Sequence, residues 1–304
     1  MIQNLVDGIL VGSFLSLGAI GLTMVMNILR FANFSHAELL SLGAYCALVF
    51  DGIFGSLLPV MSQKIGTLSL TLALVLSIIV AMAVTGLSAV LIDRLVFKRV
   101  REKGGELSMV FASFGMALII RNAVGLVFGL SPQLYSKDIA FAVVLSRDPL
   151  LLVKPDQVFV LVAALVLMLA LHLILSRTLF GFSLRAVAEN PTLAQVHGVN
   201  LRRVIAAVWI LAGGLAAVAG VFYGLSFQIT PVMGRDLVLP IFAATIVGGI
   251  GSVYGAVTGG FVVGIASNLA LVILPSGYSP SVPFLMILAV LALRPHGLFG
   301  EARA

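Results

Sequence analysis

Long apolar stretches alternate with short polar ones along the chain. A helix needs about 20 mostly apolar residues to cross the hydrocarbon core of a bilayer. Such stretches lie at residues 5–29, 39–60, 68–92, 107–130, 157–175, 203–227, 237–274 and 282–293. The seventh is long enough for two helices and is best divided at its glycines, between 248 and 255. The pattern therefore predicts an all-α, polytopic bundle of about eight to ten spans, some of them broken helices, in one membrane domain covering residues 1–304.

Composition agrees with this setting, because 61% of the 304 residues are hydrophobic and only 10% are charged. The mean hydropathy of +1.18 is typical of a membrane protein rather than a soluble domain. The net charge of +6 does not indicate nucleic-acid binding, since the chain has no basic patch interleaved with aromatic residues. Cys46 is the single cysteine, so no disulfide can form within the chain. The first span follows a few residues without positive charge, which argues against a cleaved signal peptide.

The distribution of basic residues predicts the orientation, since lysine and arginine are retained on the cytosolic side of a membrane. Assigning Arg30, residues 93–106, residues 176–203 and the C-terminus to the cytosol places about 12 of the 18 basic residues inside. We therefore expect a periplasmic N-terminus and a cytosolic C-terminus.

One polar segment, residues 182–200, has the signals of a short surface helix. Asn190 is a good N-cap, and Pro191 fits the first helical position, where no amide donor is needed. Gly198 fits the left-handed residue that ends a helix. About seven residues make a rod of roughly 10 Å, too short to span a bilayer. The sequence predicts a cytosolic helix with a small apolar stripe formed by Leu193, Ala194 and Val196.

Motifs for catalysis are missing from the sequence. There is no G-x-x-x-x-G-K-[ST] phosphate loop, and the glycines near position 250 have the wrong spacing for a dinucleotide site. The histidines, His36, His172, His197 and His296, have no zinc-binding spacing. We expect no catalytic residue, no metal and no cofactor bound by this chain.

The glycine-rich block at residues 248–265 has two interpretations. Gly251, Gly255 and Gly259 recur every four residues, which would place them on one helix face for close packing. Alternatively, a broken helix exposes backbone groups to a polar pathway. The residues concerned in that second interpretation are Gly248, Gly249, Gly251 and Ser252.

A polar elbow, which we define as residues 30–38, separates the first two spans and also has two interpretations. It is either a solvated turn in which Asn33 or Ser35 caps a helix, or part of a gate or pathway. Its polar side chains are those of Arg30, Asn33, Ser35, His36 and Glu38.

Two charged positions belong to the outer half of the protein. Arg121 lies about 21 Å along its helix from Leu107 and should snorkel or pair inside the bundle, with a substrate-carboxylate anchor as the functional alternative. Arg235 and Asp236 should pair in an outer loop at residues 231–240, either as a solvated ion pair or as a docking point for a binding protein.

Four ordered motifs resemble the branched-chain amino acid type of ABC importer permease. ANFSHAE resembles its N-F-[AS]-H-[GA]-E element, RAVAENPTLAQVHGVN its coupling loop, GGIGSVYGAVTGG its glycine block and LALRPHGLFG its C-terminal ending. The similarity runs over residues 15–300. Because the elbow follows the first span directly, the chain is more similar to the LivH-type inner-membrane subunit than to its LivM-type partner.

The resemblance implies the partners and the coupling residues. It implies a second, LivM-type permease, two cytosolic ATPase subunits that use ATP and Mg²⁺, and a periplasmic solute-binding protein. It further implies that the short cytosolic helix docks on an ATPase. The residues expected at that interface are Glu189, Asn190, Pro191, Leu193, Ala194, Val196, His197 and Gly198.

Ala37 departs from the family pattern, which usually has glycine after the histidine. If that glycine permits a positive φ, this elbow should be shaped differently and its substrate preference should differ too. The competing function is an ion-coupled secondary transporter. The sequence argues against this function, because such a transporter normally needs an ionisable residue near the middle of the membrane, and the acidic residues are expected at span edges or in loops. The substrate stays open among branched-chain and other amino acids, urea, amides and aromatic acids.

Overall fold

The structure is a computed structural model that describes residues 1–66, 68–136, 142–147 and 150–300. Its helices are α1 (Ile2–Leu29), α2 (His36–Leu57), α3 (Leu72–Ile92), α4 (Lys98–Lys103), α5 (Glu106–Phe128), α6 (Pro155–Arg177), α7 (Leu179–Glu189), α8 (Pro191–Val196), α9 (Leu201–Ser226), α10 (Met233–Gly248), α11 (Val253–Ala270) and α12 (Ser281–Leu293). A wider π-helical turn, Asp93–Phe97, joins α3 to α4. Two strands, β1 (Val143–Arg147) and β2 (Leu150–Val153), pair antiparallel.

Every predicted span coincides with a helix, which confirms the polytopic all-α fold. In the described residues, 7 helices are long and apolar enough to cross a membrane. The others among the predicted spans are shorter, with 16 residues in α10 and 13 in α12. Helices are expected here because hydrocarbon offers no hydrogen-bond partner to the backbone.

Two predicted loops are in fact helical. The expected cytosolic loop at residues 93–106 is helical as far as Lys103, and it is held by an ion pair of 2.6 Å between Arg101 Nη2 and Asp93 Oδ1. The expected outer loop at residues 231–240 is also wrong, because α10 begins at Met233 and includes Pro240. Both segments carry charges, but arginine and lysine are good helix formers, so polarity alone does not mark a loop.

Helices α1 and α9 form the centre of the bundle. They are the most buried of the candidate spans, with 83% and 72% of their apolar windows inside the protein. Glycines allow their backbones to approach their neighbours closely. A Cβ added at Gly12 would lie 2.7 Å from Cα of Phe261 in α11, and one at Gly86 would lie 2.7 Å from the carbonyl oxygen of Ile210 in α9.

The hairpin of β1 and β2 was not predicted, and it identifies one end of the bundle. Gln3 at the start of α1 joins it, since its Nε2 donates to the carbonyl oxygen of Leu152 (2.9 Å) and its Oε1 accepts from Leu152 N (3.0 Å). Helix α6 then runs from this hairpin to α7 and α8. We call the two ends of the bundle the hairpin end and the α8 end.

Candidate functional site

The polar elbow lies inside the bundle from Asn33 to Glu38. The chain turns at Arg30, whose φ of 54° makes it the one described non-glycine residue in the left-handed region. It then returns beside α1, so that His36 Nε2 donates to the carbonyl oxygen of Gly18 at 3.0 Å. Gly18 lies about 17 Å along α1 from its end at Leu29. Helix α2 therefore begins at the depth of the middle of α1, and the solvated-turn interpretation is wrong.

The elbow's polar groups bond mainly to one another and to other helices. Asn33 Oδ1 accepts from the amide of Ser35 (3.2 Å) and from its hydroxyl (2.7 Å). Asn33, Ser35, His36 and Glu38 are all at most 1% exposed. Ser35 occupies the N-cap position of α2 but makes no side-chain cap bond. The local hydrogen bonds are those that Asn33 Oδ1 accepts from Ser35.

Glu38 and Arg121 form an ion pair in the interior. Arg121 Nε lies 3.0 Å from Glu38 Oε1, and Nη2 of the same guanidinium bonds to the same oxygen. Glu38 Oε2 is buried without a partner among the described residues. Arg121 thus pairs within the bundle, as one of its interpretations predicted. Glu38 lies at the edge of a span, as expected, but that edge of α2 is buried in the bundle. The position of the acidic residues therefore does not argue against an ion-coupled transporter, as the sequence suggested.

The first turn of α10 packs against this pair. A Cβ at Gly234 would lie 2.8 Å from the carbonyl oxygen of Ala37 and would also collide with the Glu38 carboxylate. Next to it, Arg235 Nε and Asp236 Oδ1 form the predicted ion pair at 3.2 Å, with side chains 61% and 54% exposed. The pair lies in a helix rather than a loop. An exposed charged surface therefore adjoins the buried pair.

Ala37 does not require an unusual backbone. It lies inside α2, and its φ is not positive. The bend of the elbow is made at Arg30 instead. The expectation that alanine reshapes the elbow, and with it the substrate preference, has no support in this geometry.

The glycine block combines close packing with a break. Gly248 packs directly on Gly255, and Gly259 packs on Ala244. Gly249 and Gly251 have φ values of 109° and 93° and lie between α10 and α11. The prediction that Gly251 shares a helix face with Gly255 and Gly259 is therefore wrong.

Ser252 and the C-terminal segment complete this break. Ser252 Oγ accepts from Gly255 N at 3.0 Å and caps α11. The amides of Leu298 and Phe299 donate to the carbonyl oxygens of Val247 and Gly248, both at 2.9 Å, and so satisfy the end of α10.

The predicted pathway residues do not form one site. The Glu38–Arg121 pair lies at the Gly234 end of α10 and Phe34 stacks on Phe242 farther along it, whereas Gly248, Gly249, Gly251 and Ser252 lie at its other end. The helical rise separates the two ends by about 21 Å. Helix α10 is the element that joins them.

The segment 182–200 contains two helices rather than one. Helix α8 begins and ends as predicted: Asn190 Oδ1 accepts from the amides of Thr192 (3.1 Å) and Leu193 (3.0 Å), and Gly198 has a φ of 86°. Helix α7 was missed, although Thr178, whose hydroxyl accepts from Gly181 N at 3.3 Å, is a readable N-cap.

The three residues of the predicted apolar stripe of α8 differ in burial. Ala194 is buried, while Leu193 and Val196 are 54% and 78% exposed. Glu189, His197 and Gly198 are exposed as well. Helix α8 thus exposes two apolar side chains. Elsewhere, the described part of the chain has no group of three or more His, Cys, Asp or Glu residues placed to hold a metal ion.

The chain is similar to known permeases over nearly its whole length. Residues 4–291 match the family model described as branched-chain amino acid transport system / permease component. The permease BraD of Pseudomonas aeruginosa is 31% identical over 99% of this chain and 96% of its own length. The permease LivH of Escherichia coli K12 is 32% identical with the same coverage.

A third relative gives the same result, since the probable permease LivH of Methanocaldococcus jannaschii is 30% identical over 96% of this chain and 90% of its own length. No solved structure matches the chain. A match of this extent, on a bundle of membrane-spanning helices, shows that the chain is a multi-pass membrane protein belonging to the family of branched-chain amino acid transport permease components.

Proposed function

We propose that this chain is the permease subunit of an ATP-driven, binding-protein-dependent importer of branched-chain amino acids, working by alternating access. Residues 1–304 form its single membrane domain, with residues 182–200 as a cytosolic coupling segment. The α8 end faces the cytosol, so the N-terminus is periplasmic and the C-terminus cytosolic. The relatives named above, which are permeases of such systems, support the substrate class.

One observation carries the coupling part of the proposal, namely the exposure of Leu193 and Val196 on a helix capped at both ends. Exposed apolar side chains next to polar ones are typical of a contact surface. We infer that α8, with Glu189 to Gly198, contacts a cytosolic ATPase. ATP and Mg²⁺ are then used by that partner, and α8 transmits the resulting movement to the membrane bundle.

The solute pathway is proposed to lie at the surface beside Phe34 of the elbow, Arg121 and the start of α10. Phe34 stacks on Phe114 and Phe242 there, with ring centroids 4.0 and 4.7 Å apart, and Phe114 remains 46% exposed. An exposed aromatic and charged surface beside broken helices supports a facing subunit. A homologous LivM-type permease is the proposed partner, and a periplasmic protein delivers the solute.

The Glu38–Arg121 pair is the one observation that favours the alternative, an ion-coupled secondary transporter. Ionisable residues inside a membrane protein are costly and often mark ion pathways. Both functions are tested in vesicles that contain this chain, its partner subunits and the binding protein. We expect leucine uptake to require ATP and to persist without an ion gradient.

Substitutions in α8 test the coupling surface in the same vesicles. Leu193→Glu and Val196→Glu should lower uptake and binding-protein-stimulated ATP hydrolysis by roughly tenfold, because a charge replaces an apolar contact. Gln195→Glu is the matched control, since it places the same charge on an exposed position between them. Uptake driven by an ion gradient without ATP would refute the proposal, as would equal activity in all three variants.

A further inference from the structure

A large cleft opens at the α8 end between α6 and α11. Helix α1 forms its floor, and α7 and the C-terminal segment also line it. Its volume is about 1170 Å³. That exceeds the roughly 300–1,000 Å³ of ordinary small-molecule pockets. His172 of α6 and Tyr254 of α11, both exposed, bridge the cleft by a hydrogen bond of 2.7 Å between Nδ1 and the hydroxyl. The cleft therefore lies between two membrane-spanning helices that one side-chain hydrogen bond connects across it.

The lining of the cleft changes from apolar to polar along its length. Ile20, Met168, Leu169 and Val257 line the part deeper in the bundle, because each lies farther from the α8 end on its helix. The polar part lies at the α8 end, where Arg30, Arg185, Glu189 and His296 contribute. A long apolar slot with a charged mouth matches the shape of a lipid.

The charges at the mouth favour an anionic group. Arg30 is exposed, and its guanidinium makes no hydrogen bond or ion pair with any described residue. Its left-handed backbone is also one that non-glycine residues rarely adopt. Arg185 Nη1 donates to the carbonyl oxygen of Leu175 at 2.6 Å, which leaves the other guanidinium nitrogens available. The two arginines outnumber Glu189, the single carboxylate among the lining residues.

We propose that this cleft binds an anionic phospholipid, whose phosphate contacts Arg30 and Arg185 while an acyl chain lies between α6 and α11. Arginine binds phosphate through charge-assisted hydrogen bonds. Basic pockets between membrane-spanning helices at the cytosolic side are suited to anionic headgroups. The Glu189 carboxylate can accept from a hydroxyl of a glycerol headgroup. The cleft shares Arg30, Phe31 and Ala32 with the elbow, but neither Arg121 nor the start of α10, where the solute pathway is proposed, lines it. The proposal does not depend on which solute is carried.

Lipid binding is measured on the full-length chain, purified with its partner subunits and delipidated in detergent, by native mass spectrometry. Dioleoyl phosphatidylglycerol should bind about tenfold more tightly than dioleoyl phosphatidylethanolamine. Arg30→Gln should remove that preference, while Arg203→Gln, an exposed arginine at the same end but outside the cleft, should retain it. Leu169→Trp should block both lipids by filling the slot, and Leu165→Trp, on the same helix outside the cleft, should not.

Three results would overturn the proposal. Equal binding of the two lipids to the wild-type protein would exclude a headgroup preference. Competition by glycerophosphoglycerol, which has no acyl chains, at the same concentration as the lipid would indicate a soluble-anion site. Displacement of the lipid by leucine would assign the cleft to the solute pathway.

Discussion

The polar elbow and the segment around α8 have the same appearance in the sequence, as polar interruptions between apolar spans, yet the structure places them in opposite environments. The polar side chains from Asn33 to Glu38 are buried beside α1, and the Glu38 carboxylate is paired with Arg121 from another helix. Helix α8 is exposed, and its cap bonds come from Asn190 two and three residues away.

The difference lies in where the hydrogen bonds come from. In the elbow, Phe34 N donates to Ser113 Oγ (3.1 Å) and His36 bonds to Gly18, so distant helices determine its shape. In α8, the residues that start and stop the helix are its own neighbours. We infer that disturbing the elbow affects the stability of the whole bundle, whereas disturbing α8 affects a local helix and its partner.

The largest effect is expected for Arg121→Leu. It leaves the Glu38 carboxylate buried and unpaired, which typically costs about 3–5 kcal/mol. Unfolding of the purified protein in detergent, followed by heat or denaturant, measures the change. The double variant with Glu38→Gln and Arg121→Leu should recover part of the loss, because the buried charge is then removed.

Arg235→Leu is the matched control, since it breaks an ion pair that is exposed on both sides. It should cost less than about 1 kcal/mol. Similar losses for Arg121→Leu and Arg235→Leu would contradict the assigned difference between buried and exposed charges.

Asn190→Ala should have a smaller and more local effect. Loss of an N-cap costs about 0.5–2 kcal/mol of helix stability. Hydrogen exchange should become faster at the amides of Thr192 and Leu193, and uptake should fall while the thermal stability of the bundle stays nearly constant. Unchanged exchange at both amides would show that α8 is held by contacts other than its cap.

Asn200→Ala provides the comparison for that variant. Asn200 Oδ1 accepts from Arg203 N at 3.2 Å and caps α9, whose interior is packed in the bundle. The change in exchange should be confined to the first turn of α9 and should leave uptake close to that of the wild type.

The same distinction explains what the sequence could predict. Span positions and the limits of α8 follow from local patterns, namely apolar length, an Asn-Pro start and a glycine stop. The depth of α2 does not, because it depends on Gly18 and on Arg121, which are far from the elbow in sequence. The split of the glycine block was likewise only half predicted, since Gly251 lies outside α11.

The smallest effect is expected for Ala37→Gly, the substitution that restores the usual residue of the family motif. Because Ala37 lies in a helix with its methyl group buried, glycine should cost about 0.5–1 kcal/mol. The measurement is the midpoint of unfolding in detergent, combined with uptake of leucine, isoleucine and valine in competition.

The sign of that change separates two explanations of the elbow. If the bend depends on Arg30, as its φ of 54° indicates, Ala37→Gly lowers stability and leaves the order of substrate preference unchanged. If a positive φ were needed at position 37, glycine would relieve strain and raise stability, typically by 0.4–1 kcal/mol or more. A stabilised variant with an altered substrate preference would therefore show that the bend is made at position 37 rather than at Arg30. The burial of the elbow would then depend on a local residue.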